Sequence, residues 1–71
     1  MHILPGTDTR IINLEGTIII ITAVKDDVSL YRVMIDGLFY GYVQRIDGVL
    51  HRLDGSKISN EFFSEICRVI Q

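Results

Sequence analysis

The sequence predicts an α+β fold: an antiparallel β-meander of four to five strands followed by one C-terminal helix packed on one sheet face. Three observations predict it. Asp36-Gly37, Asp47-Gly48 and Asp54-Gly55 punctuate the second half of the chain, between runs rich in Val, Ile, Leu, Tyr and Phe. Four consecutive isoleucines, Ile18 to Ile21, mark a strand. Apolar side chains recur at helical spacing only near the end, from Ser59 to Ile70.

The elements follow in order. Met1 to Thr9 reads as an irregular arm, because Pro5-Gly6 is a breaker pair and Thr7-Asp8-Thr9 is turn-like. Arg10 to Leu14 is a short strand, and Glu15-Gly16 a bend or bulge after it. Thr17 to Val24 is the strongest strand, since β-branched side chains lose rotamer freedom in a helix and pack well on a pleated surface. It lacks alternation, so Ile18, Ile20 and Val24 point one way and Ile19, Ile21 and Ala23 the other. Both faces of this strand are therefore expected to be covered. Lys25-Asp26-Asp27 is a charged turn.

Val28 to Ile35 and Leu38 to Ile46 are the next two strands, joined at Asp36-Gly37. Asp-Gly suits a two-residue type I′ turn, which needs positive φ at both central residues. Tight turns at Asp36-Gly37 and Asp47-Gly48 fix a register. Tyr31, Val33, Ile35, Leu38, Tyr40, Tyr42, Ile46, Val49, His51 and Leu53 then share one face. Leu30, Arg32, Met34, Phe39, Gly41, Val43, Arg45, Leu50 and Arg52 share the other. Gly41 interrupts a strand, so it marks either a bulge or the close approach of another backbone.

Ser59 to Ile70 is the helix. Ser59 is a good N-cap, Glu61 and Glu65 suit the N-terminal half, and Arg68 suits the C-terminal end. Phe62, Phe63, Ile66, Cys67, Val69 and Ile70 form its apolar stripe. Residues 1–71 are thus read as one domain, with an arm over 1–9, the meander over 10–54 and the helix over 59–70.

Bulk properties bound the function. A chain of 71 residues supports only a small core, and such chains commonly add a disulfide, a metal or a partner subunit. The single cysteine, Cys67, excludes an internal disulfide. An apolar content of 48% and a sheet with one covering helix point to a homo-oligomer, a dimer above all, or to a protein partner. Seven basic residues against nine acidic ones argue against nucleic acid. Ile18 to Ile21 is far too short to cross a bilayer, and Met1 to Gly6 lacks the basic start of a secretory leader. One cysteine fits a reducing compartment, so a cytoplasmic location is expected.

Candidate chemistry is sparse. His2 and His51 are the only histidines, and neither has ligands at zinc spacing, so no metal and no cofactor are expected. Cys67 lies in the apolar stripe and reads as a small buried hydrophobe. Arg32, Arg45 and Arg52 share a predicted face. They form either an anion or nucleic-acid patch, with Arg10 beside it, or a comb that is solvated or faces a subunit. Tyr31, Tyr40 and Tyr42 share the other face, as a groove lining or as cross-strand packing pairs. His51 with these tyrosines is the best candidate for a catalytic site completed across a dimer. The expected function is a small non-catalytic interaction or regulatory module, with an anionic-ligand or nucleic-acid module as the alternative.

Gly41 to Ser56, with its Gly-Tyr-Val start and its Asp-Gly pairs, resembles one repeat of the choline-binding type of cell-wall module. It departs from that pattern in having no tryptophan, a single copy and a helix behind it. The likeness implies shared hairpin chemistry, and no family membership is drawn from it.

Overall fold

The computed structural model describes residues 9–70. Five strands run in chain order across one antiparallel sheet: β1 (Thr9–Leu14), β2 (Thr17–Val24), β3 (Asp27–Ile35), β4 (Leu38–Ile46) and β5 (Val49–Arg52). One helix, α1 (Asn60–Ile70), follows. The predicted α+β meander with a C-terminal helix is the observed fold. The arm expected over Met1–Thr9 and the placement of His2 lie outside the described residues, except that Thr9 already opens β1.

Tight turns set the meander. Asp36 and Gly37 have φ of 49° and 82°, and Asp47 and Gly48 have 53° and 80°. Both pairs are two-residue turns in the left-handed region, as Asp-Gly chemistry predicts. Glu15-Gly16 corrects the expected bend or bulge. Its φ values of 52° and 90° make it a third turn of the same kind, with Leu14 opposite Thr17. The Asn13 side-chain oxygen accepts a hydrogen bond from the Gly16 N–H at 3.0 Å, which steadies that turn.

The register departs from expectation at one residue. Ile35 faces Leu38 as predicted, but Met34 faces Phe39 and Val33 faces Gly41, so Tyr40 is an extra residue on β4. One bulged residue shifts every side chain beyond it to the opposite face. Val43, Arg45, Leu50 and Arg52 therefore join Tyr31, Val33 and Ile35. Tyr42, Ile46, Val49 and His51 move to the face of Leu30, Arg32 and Met34. Val43 and Leu50 are accordingly buried, and Ile46 and Val49 are exposed.

Gly41 combines both roles offered for it. Tyr40 is the bulge beside it, and the segment after β5 crosses directly over it. The Leu53 N–H donates to the Tyr42 carbonyl at 3.1 Å and the Lys57 N–H to the Tyr40 carbonyl at 2.7 Å. A Cβ on Gly41 would lie 2.6 Å from the Ser56 Cβ, and its φ is 133°. Only glycine fits there.

The helix covers the face that holds Ile12, Ile19, Ile21, Val33, Ile35, Val43 and Leu50, and Ile66 and Ile58 close the core. Ile66 is wholly buried, and Phe62, Phe63, Cys67 and Ile70 pack around it. Ser59 caps the helix: its Oγ accepts from the Phe62 N–H at 3.2 Å. Burial pushes the Cys67 thiol up, against a weaker downward pull from Arg52, which suits a packed thiol better than a nucleophile.

Candidate functional site

The predicted arginine set does not assemble. The Tyr40 bulge sends Arg45 and Arg52 to the helix-covered face and leaves Arg32 on the open one. Arg10 pairs with Ile21 in register, also on the covered side. Arg45 and Arg52 are tied to the helix. The Arg52 Nη1 donates to the Ile58 carbonyl at 2.9 Å, just before the N-cap, with its guanidinium 4.8 Å from the Phe63 ring centre. The Arg45 Nη2 donates to the Ile70 carbonyl at the other end, and its guanidinium lies 5.8 Å from the Tyr31 ring centre. A cation at a helix C-terminus also meets the negative end of the dipole. These two arginines clamp both ends of α1 onto the sheet.

The tyrosines separate as well. Tyr31 and Tyr40 are half-buried against the core. Tyr42 lies on the open face, edge-on to Phe39 with ring centres 5.2 Å apart. His51 stands opposite Gln44 on the same face. The Gln44 Nε2 donates to the Ser29 Oγ at 3.3 Å. Among the described residues, no three His, Cys, Asp or Glu side chains come together as a metal site.

What the register does bring together is a set of transverse rows on the open face. Ile11, Ile20, Met34 and Phe39 lie opposite one another in sequence across four strands. Ile11 is 69% exposed and Phe39 52%. The neighbouring row is Thr9, Thr22, Arg32 and Tyr42. Beyond it the β2–β3 ladder breaks: Ala23 faces Tyr31, yet Val24 faces Asp27. This irregularity leaves Val28 to Leu30 unmatched on β2 and sits beside a recess of about 300 Å³ lined by Thr22, Ala23, Val24, Lys25, Arg32 and Tyr42.

Asp27 organises this break. Its Oδ1 accepts from the Ser29 Oγ at 2.6 Å and from the Ser29 N–H at 3.0 Å. These bonds, the hydroxyl first, hold the Asp27 carboxyl below its usual range. Sequence reasoning picked out Arg32 and Tyr42 but not Thr22 or Lys25. The available signal was Thr22 as the first polar residue after four isoleucines, directly before the Lys25 turn. Comparison of the chain with protein-family models, with curated proteins and with solved structures finds no match.

Proposed function

We propose that this chain is a small non-catalytic interaction or regulatory module that works as a homodimer, with the open sheet faces of two copies packed together. The observation that carries this reading is the Ile11–Ile20–Met34–Phe39 row, an apolar band across four strands with no element of the described chain above it. Leu30, Ile46 and Val49 extend the apolar surface on the same face. Contiguous apolar patches of more than a few hundred Å² mark interaction sites.

A second copy is the occupant that fits. The described strands carry one carboxylate, Asp27, and it is engaged by Ser29, so a facing copy brings no buried acid onto the band. The molecule measures 30 × 29 × 20 Å, and its broad dimensions provide a footprint of the size a standard interface takes, about 800 Å² per partner. Flat sheet faces stack at about 10 Å with interdigitated side chains.

Light scattering across a concentration series tests it. The expected result is a dimer mass that falls to monomer in Phe39→Lys and Ile11→Lys, with circular dichroism unchanged. A monomer at every concentration sinks the reading. A dimer that survives both substitutions moves the interface to the strand edges or the helix and sinks it equally.

A further inference from the structure

The recess beside the β2–β3 irregularity has features that the apolar band lacks. Two cations, Arg32 and Lys25, line it, and among the described residues no carboxylate does. That is against the trend of a chain with a formal charge of −2. Arg45, Arg52 and Arg68 each bond to a carbonyl or carboxylate. Among the described residues, Arg32 engages no such group. Its neighbours in the row, Thr22 on one side and Tyr42 on the other, present hydroxyls that can donate. Phe39 packs against the Tyr42 ring and holds it as a wall.

We propose that this recess binds a small ligand through a carboxylate or phosphate group. Arg32 is the primary contact, because its planar fork matches two oxygens of either group. Lys25 supplies a second charge at the turn, and the Thr22 and Tyr42 hydroxyls supply neutral donors. A volume of about 300 Å³ is the lower end of small-molecule sites, so the ligand is small. This site goes beyond self-association and does not depend on it. It does bear on it, since an anion on Arg32 removes a bare charge that a covering copy would otherwise desolvate.

The test is a titration of the full chain, labelled with ¹⁵N, with inorganic phosphate and separately with acetate, against sodium chloride at matched ionic strength. Saturable amide shifts confined to Thr22 to Lys25, Arg32 and Tyr42 are expected, with Arg32→Gln weakening binding by about tenfold or more. Lys25→Gln weakens it less, and Arg68→Gln, on the far side of the helix, leaves it unchanged. Saturation by phosphate alone or by acetate alone assigns the head group. Shifts that never saturate, that sodium chloride reproduces, or that survive Arg32→Gln overturn the site. Molar mass followed in the same samples separates the two proposals: a monomer that saturates keeps the anion site and loses the dimer, and a dimer that never saturates does the reverse.

Discussion

The two faces of the sheet are built from the same strands, yet they end in different states. On β2, Ile19 and Ile21 are buried at 0% and 1% exposure, while their neighbours Ile18 and Ile20 are half-buried on the open side. Side-chain hydrophobicity does not separate them, because all four are isoleucine. The difference comes from what lies across the strand. Ile19 faces Ile12 and Ile35, and Ile21 faces Val33, all under the helix. Ile20 faces Ile11 and Met34, with no element of the described chain above them. The lesson is that the face on which the helix settles is apolar and also supplies partners for its end carbonyls. It is the face on which Arg45 and Arg52 find carbonyls at the two ends of α1.

The Tyr40 bulge is the device that sorts the second half of the meander between these faces, so the sharpest way to break the comparison is at Gly41. Gly41→Ala forces a side chain into a positive-φ position and against Ser56. Backbone strain and overpacking together are expected to cost about 3–5 kcal/mol, enough to unfold much of so small a domain. Urea denaturation followed by circular dichroism measures it. A loss under about 1 kcal/mol would mean that the segment after β5 does not cross β4 as described.

How much of this was legible in the sequence divides along the same line. The strands, the helix and its Ser59 cap were readable because each rests on local chemistry: β-branched runs, Asp-Gly turns, a hydroxyl before an apolar stripe. Gly41 was readable as a position that needs a reason, a bulge or a close approach, since a glycine interrupts two strand tyrosines, although not as both at once. The identity of the extra residue, and the register shift it brings, were not. Nothing about Tyr40 as a residue marks it as the extra one, and its extrusion depends on Ser56 and Lys57 arriving from beyond β5. Every face assignment after it was therefore inverted, and Arg32, Arg45 and Arg52 seemed to form one patch. The Glu15-Gly16 turn was missed for a smaller reason: Glu lacks the short side chain that makes Asp and Asn tolerant of positive φ.

A paired truncation compares the two faces directly. Ile66→Ala removes a fully buried side chain and leaves a cavity, at an expected cost of about 2–5 kcal/mol. Phe39→Ala on the open face is expected to change the stability of the isolated chain by less than about 1 kcal/mol, although it removes more atoms. Thermal unfolding of dilute samples reads both. Equal losses would mean that the open face is covered even in the monomer.

The arginines sharpen the comparison further. Arg52→Met keeps an unbranched, apolar side chain but deletes the bond to the Ile58 carbonyl and the contact over Phe63, for an expected loss of about 1–2 kcal/mol. Arg32→Met on the opposite face deletes no hydrogen bond or ion pair among the described residues and is expected to leave stability within about 0.5 kcal/mol. Denaturation midpoints at low and high salt distinguish the two. An equal loss in both variants would remove the clamp as the reason why Arg45 and Arg52 lie under the helix.

The smallest effect lies where the open face meets the β2–β3 break. Asp27 has its carboxyl held below the usual 3.8 by the Ser29 hydroxyl and N–H. A carboxyl with a depressed folded value stabilises the fold above its unfolded value, and that contribution disappears as pH falls through the folded one. Asp27→Asn is therefore expected to lower Tm slightly at neutral pH, with the gap to the parent closing as pH falls below 3.8. Glu65, held down by Arg68, titrates with the same sign in both proteins, so it cancels from the difference. Ser29→Ala keeps the charge and removes the stronger of the two donors, so it should recover only part of the parent's acid dependence. A gap that stays constant across the titration would show that Asp27 holds the turn by shape rather than by charge. The recess beside it would then owe its form to the backbone break alone.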